Sequence, residues 1–255
     1  PMPYSYTDLY GKMTFHAENG SKTNIFGFNF GDHVNYQGIS DLEWKSDGFG
    51  SEFILIPGNS PVLIEGNIAY SKYYISLQES SSPIRESSIA GASMGFDFTN
   101  FYPSGKIKYG FDVYGFRTRF KTFNSANAVI QQNENTSEFS AFINYQYKSD
   151  QIILEPGFRI QKYTLGTSPE PRLGIKYIAS DIIRLKLAGG FYSQNILSTV
   201  SDRDVVNLFY GFISSPENLP LDENEQEYKN QLQKARHLIL GVEYDINLNI
   251  DLQIE

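Results

Sequence analysis

The sequence predicts an all-β fold, an antiparallel transmembrane β-barrel with about twelve strands in this chain. Three observations predict it. Apolar and polar residues alternate with period two from one end to the other, in segments of about ten residues separated by turn signals. Charges sit in mid-segment on the polar face while the apolar faces are rich in aromatics, as strands with lipid outside and a wet lumen inside require. Short and long polar connections alternate strictly, as expected when one rim carries tight turns and the other carries loops. Ile183, Leu185, Leu187 and Phe191 against Arg184, Lys186, Ala188, Gly190 and Tyr192 show the pattern within one segment.

Composition narrows the choice. With 255 residues, Tyr 18, Phe 19, Gly 21 and a mean hydropathy of -0.35, the chain is heavy in β-formers yet too polar for helical spans. Phe53-Ile54-Leu55-Ile56 is among its longest apolar runs, far below the roughly 18 residues of a spanning helix, so a helical membrane protein is excluded. The absence of cysteine excludes a disulfide framework and thiolate metal sites. A net charge of -8 without a Lys/Arg cluster in sequence argues against a nucleic-acid partner. Pro1-Met2-Pro3-Tyr4 has neither a basic nor an apolar leader character, which suits a mature chain or an internal piece of a longer one.

The first hairpin joins segments ending Thr14-Phe15 and starting Thr23-Asn24 through Glu18-Asn19-Gly20-Ser21, and Asn-Gly between alternating segments is a strong hairpin signal. Short turns follow near Gly58, Ser104, Ser149, Ser180 and Asn247. Longer connections are expected over residues 34–41, 79–88, 124–137, 164–169 and 195–234, the last being the long extracellular loop. Ile107, Tyr109, Phe111 and Val113 are assigned to lipid, as are Ile143, Tyr145, Phe158, Ile160, Leu238, Leu240 and Val242. Lys108, Asp112, Glu155, Arg159, Lys176, Arg184, Lys186 and Glu243 are the candidate lumen residues. Their mixed sign suits either contact with a plug or substrate or mutual pairing across strands, because buried charges must be paired. Pro156 removes a ladder donor inside a strand pattern, so a bulge or rim position is expected there. In the long loop, Leu208, Phe209, Tyr210 and Phe212 are apolar enough to require a ligand, a companion protein or neighbouring loops to pack on.

Enzymatic readings find little support. His16, His33 and His237 lie on separate segments without ligand spacing, so no metal site is assigned and no cofactor is implied. Ser80-Ser81-Ser82 reads as a solvated loop, since no G-x-S-x-G elbow surrounds it. No helix follows Gly48-Phe49-Gly50, which therefore is not a phosphate loop. Residues 221–234 run from acidic to basic, which suits one short helix; its acidic start is compatible with calcium, but a solvated helix face accounts for it more simply.

Pro169-Glu170-Pro171-Arg172-Leu173-Gly174-Ile175-Lys176-Tyr177, followed by Leu187-Ala188-Gly189-Gly190-Phe191-Tyr192-Ser193-Gln194, resembles a strand pair in the barrel of TonB-dependent receptors, particularly those of Bacteroidota. Tyr6-Thr7-Asp8-Leu9-Tyr10-Gly11-Lys12 and residues 235–243 support the resemblance. It implies a barrel of roughly 22 strands around an N-terminal plug, preceded by a box that binds TonB. The plug and box have no counterpart in this chain, and residues 249–255 lack a closing aromatic-terminated strand, so residues 1–255 are expected to be part of such a barrel.

The function implied is a non-enzymatic receptor importing a bulky nutrient (glycan, peptide or metal chelate) across the outer membrane of a Gram-negative bacterium. Its implied partners are TonB, its own plug domain, a surface lipoprotein and outer-membrane lipid. The alternative is a self-contained smaller barrel acting as a passive channel or outer-membrane enzyme, which predicts that the first and last strands pair. The receptor reading predicts unpaired edges in this chain alone. A soluble β-sandwich adhesin is disfavoured by the aromatic outward faces.

Overall fold

The computed structural model describes residues 3–58, 60–80, 82–124, 126–164, 166–198, 212–214, 232–247 and 250–254. Among them every regular element is a strand. The strands are β1 (Tyr4–His16), β2 (Lys22–Tyr36), β3 (Ser40–Leu55), β4 (Val62–Glu79), β5 (Arg85–Tyr102), β6 (Gly105–Phe123) and β7 (Val129–Lys148). There follow β8 (Ile152–Tyr163), β9 (Gly166–Ile178), β10 (Ile183–Gln194), β11 (Ile196–Ser198), β12 (Phe212–Ser214), β13 (Gln233–Asn247) and β14 (Ile250–Ile254). Twelve form one antiparallel meander in the order β1 to β10, then β13 and β14, while β11 and β12 pair with each other.

In an antiparallel ladder, directly opposed residues share a face. The register therefore carries one face across the whole sheet. Lys12, Phe26, Gly50, Ala69, Ser93 and Tyr114 stand in one row, and Glu155, Gly174 and Ala188 in another. The sheet is curled about this face. Asn24, Thr99, Thr118, Thr136, Ser140, Gln161, Ser168 and Glu170, all buried, lie on it, as do the buried Ile75, Leu77 and Tyr163. The opposite face carries the exposed Ile25, Phe49, Ile68, Tyr109, Phe139, Ile143, Phe158, Leu185, Leu240 and Val242, the residues of a lipid-facing belt. The face assignments made from alternation are those observed.

The belt fixes a direction. It begins at the tight-turn rim, where Tyr102, Tyr147, Tyr177 and Tyr244 point outward, half exposed, as an interfacial aromatic girdle. Further along, the outward positions turn polar at Asp47, Lys72, Ser88, Arg117 and Ser137. The strands do not stop there. β4 to β7 run 18, 18, 19 and 20 residues, well beyond the roughly 9–11 that span a bilayer, so this end projects past the membrane.

This projection corrects the expected loop lengths. The connections expected over 34–41, 79–88, 124–137 and 164–169 shrink to the few residues between Tyr36 and Ser40, Glu79 and Arg85, Phe123 and Val129, and Tyr163 and Gly166. Outside the membrane both faces of a strand are wet, so alternation fades while the hydrogen-bonded ladder continues. The expected helix over 221–234 lies almost wholly outside the described residues, and Gln233 and Lys234 open β13. At the tight rim, Gly20 takes φ 85° and Gly105 φ 151°, the left-handed region that their turns need.

Pro156 occupies neither a bulge nor a rim. It pairs with Leu173 in mid-strand, and the ladder from β8 to β7 lapses at Glu155 and Pro156 without a register shift. Pro169 and Pro171 lie in β9 beyond Arg172, where pairing with β10 has ended, so their missing N–H groups cost no ladder bond there. Among the described residues, β1 pairs only with β2 and β14 only with β13. The closure that a self-contained barrel requires is not formed.

Candidate functional site

The inner face carries every candidate lumen residue, in two of its three polar groups, and most are paired. Nearest the tight rim, Glu243 on β13 accepts from Lys176 Nζ at 2.8 Å on β9 and from Arg184 Nε at 2.8 Å on β10, and also pairs with Lys186. Arg184 adds a two-toothed pair with Asp245. Three cations thus share two carboxylates, which leaves one positive charge facing the lumen.

The second group spans the middle of the sheet. Lys108 on β6 binds Asp97 at 2.8 Å and Glu65 at 3.3 Å. Toward β1, Glu52 accepts from Asn24 at 2.7 Å and lies 3.7 Å from Lys12. Arg159 on β8 donates to Ser140 Oγ at 2.7 Å, and Ser140 donates to Asp112 at 3.2 Å, with the Arg159–Asp112 pair at 3.7 Å. Glu155 accepts from Gln146.

The third group was not singled out from sequence. Glu170, 2 % exposed, accepts from the Ser193 N–H at 2.9 Å, the Ser193 hydroxyl at 2.5 Å and Arg172 Nη2 at 2.8 Å. Arg172 stacks over Tyr192, with its guanidinium carbon 4.6 Å from the ring centroid. The Nε atoms of Arg159 and Arg172 are buried without an acceptor among the described residues. The Glu170-Pro171-Arg172 motif was itself visible in sequence, but alternation alone does not reveal that a carboxylate will be buried.

Above these groups, toward the projecting end, the inner face becomes apolar. Ile75 and Leu77 pack with Leu42, Trp44, Tyr73 and Phe120, and Trp44 donates its indole N–H to Asp32 at 3.0 Å. β12 lies against β5, β6 and β7. Of the loop candidates, Leu208, Phe209 and Tyr210 lie outside the described residues, and only the backbone of Phe212 is placed, in β12. Chemically, the inner face offers paired charges below and an aromatic surface above. That suits binding and passage.

No family model matches the chain, and neither does any curated protein sequence. Solved structures do match in fold. The copper transporter OprC superposes with a TM-score of 0.68 at 11% identity, over 96% of this chain and 44% of its own. The FrpB iron transporter from Neisseria meningitidis gives 0.66 at 11%, over 95% of this chain and 42% of its own. The ferric citrate transporter FecA gives 0.64 at 12%, over 95% and 41%. The fold is that of the barrel of TonB-dependent receptors. The chain spans less than half the length of each of these proteins, and all three are transporters rather than enzymes.

Proposed function

We propose that this chain is about half of the barrel of an energised import receptor in the outer membrane of a Gram-negative bacterium. The carrying observation is the open twelve-stranded sheet with an outward apolar belt and an inner face of paired charges. Two exposed strand edges of this length are an aggregation liability unless further strands of the same barrel cover them. A lumen that is mixed in sign and internally paired suits enclosure of a plug domain better than a one-sign channel. The Arg159 and Arg172 Nε–H groups are donors that acceptors on such a plug would satisfy.

In this reading TonB supplies inner-membrane energy to displace the plug, and the substrate is a bulky nutrient: a glycan, peptide or metal chelate. The motif-level likeness to Bacteroidota receptors favours a polymer captured with a surface lipoprotein. The aromatic patch around Trp44 and Tyr73, with the long loop, is the substrate-facing surface. The test is nutrient uptake by the full-length protein in cells with and without TonB. Uptake that stops without TonB while surface binding persists supports the receptor, and undiminished uptake overturns it in favour of a passive channel.

A further inference from the structure

Two features of the outward face of β4 to β7 have no role in transport through the lumen. The first is a cluster of cations just beyond the apolar belt. Lys72 on β4 and Arg117, Arg119 and Lys121 on β6 point outward, across the small Ala90 and Ser88 of β5. They border a concavity of about 640 Å³ that also takes in Tyr74 and Asn133. The opposing acids are Glu86, which lies 3.8 Å from Lys121 and accepts from Tyr74, Glu134, which also lines the concavity, and Asp47, the register partner of Lys72. Arg117 donates to Asn135 at 2.7 Å, whereas the side chains of Lys72 and Arg119 are exposed and donate to none of the described residues. In a chain of net charge -8, four outward cations against Glu86, Glu134 and Asp47 leave a local positive excess.

The second feature lies further toward the tight rim on the same face. An apolar concavity of about 510 Å³ opens on the outward face of β5 to β7, walled by Phe98, Tyr109, Phe111 and Phe139 with Ala141 among its lining. The rings of Phe98 and Tyr109 stack at 5.4 Å and those of Phe111 and Phe139 at 6.4 Å, so its walls are preformed. Val113 is the last apolar outward residue of β6 before its cations, and Phe111 of the groove precedes Arg117 by six residues, about 20 Å along a strand. That step carries the surface from the hydrocarbon boundary into the headgroup layer.

We infer that this surface is a binding site for a phosphorylated glycolipid of the leaflet facing the projecting end, its acyl chain in the aromatic groove and its phosphate between Lys72, Arg117 and Arg119. Arginine forks suit phosphate oxygens, and the exposed amides of Asn133 and Asn135 suit sugar hydroxyls. The inference rests on the reading that the projecting end faces outward, but it does not depend on transport.

The test uses the purified full-length protein in neutral detergent, with diphosphoryl lipid A as probe and retention read by native mass spectrometry. Replacing Lys72, Arg117, Arg119 and Lys121 together by Gln should weaken retention by about tenfold or more, as should raising salt. Lys234→Gln with Arg236→Gln, outward cations on β13, should leave retention unchanged. Inorganic phosphate at millimolar concentration should not displace the lipid, and Phe111→Ala should weaken its binding. Equal retention by the wild type and the fourfold variant overturns the inference, as does displacement by phosphate alone. If the fourfold variant loses its heat-modifiable folded band, Arg119→Gln alone is read the same way. Lipid binding that holds in a protein whose uptake is independent of TonB would sink the receptor reading and leave this site standing.

Discussion

The carboxylate of Glu170 receives two hydrogen bonds from Ser193, the backbone N–H at 2.9 Å and the hydroxyl at 2.5 Å, both on the same oxygen. β9 and β10 have ceased to pair by ladder hydrogen bonds at this level, their register ending at Gly190 and Arg172. A buried side chain therefore does the work of the missing ladder, and it does so one residue before β10 gives way to the long loop.

Replacing Glu170 by Ala should lower stability by about 1–3 kcal/mol, because it strands the Ser193 donors and the Arg172 guanidinium. Glu170→Gln should cost less, since it keeps the shape and one acceptor. Unfolding midpoints of the refolded full-length barrel in urea would measure both. Equal midpoints for wild type and Glu170→Ala would show that the anchor is redundant.

Around Glu243 the balance is one of unequal numbers. Removing its charge with Glu243→Gln leaves Lys176, Arg184 and Lys186 facing only Asp245, so a loss of about 1–3 kcal/mol is expected. Adding Lys186→Gln should restore part of it, giving a coupling between the two sites in a double-mutant cycle. Strictly additive effects would mean the contact carries no energy.

Leu185 and Ala188 lie three residues apart on β10 and on opposite faces. Leu185→Arg should cost up to roughly 2–4 kcal/mol, since it sets a charge against lipid. Ala188→Arg should insert and fold with wild-type yield. Matching yields for the two in lipid vesicles would contradict the assignment of faces.

Cysteine placed at Asn133, on the projecting end, should react with a membrane-impermeant maleimide on intact cells, whereas cysteine at Ser149 or Ser180 should react only after lysis. Labelling of Ser149→Cys from outside would invert the barrel.

Deleting residues 205–227 from the full-length receptor should abolish uptake and leave the heat-modifiable barrel band intact. Among the described residues, the stretch between β10 and β13 is the longest between neighbouring strands of the sheet, and long connections usually carry recognition. Unchanged uptake by the folded deletion variant would remove the loop from the mechanism.

How far the sequence could be read follows from where lipid lies. Leu185, Phe158 and Tyr109 alternate with Arg184, Arg159 and Lys108 because one face meets hydrocarbon, so strand count, meander and faces were all legible. Beyond the membrane that contrast is gone. Asn133, Glu134 and Asn135 show no apolar alternation although they sit in an unbroken ladder, so this strand end was read as a loop. The pairing of Lys176 with Glu243 joins residues far apart in sequence through β10, and no local pattern announces it. Pro156 looked like a strand breaker because sequence does not tell which neighbour a residue's N–H would have faced.

The outward belt also works as a ruler. On β13 it runs from Leu238 to Ile246, eight steps along the strand, and at a tilt near 40° this covers only about 20–25 Å of membrane normal. A typical hydrocarbon core is about 30 Å thick, and bacterial outer membranes are thinner than average. The girdle of Tyr102, Tyr147, Tyr177 and Tyr244 pins the lower edge of that span, leaving little freedom to slide. The protein is therefore thickness-matched to a thin bilayer: in a thicker one the lipid around it must thin locally, a mismatch that sorts the barrel toward the membrane whose depth its strands already measure.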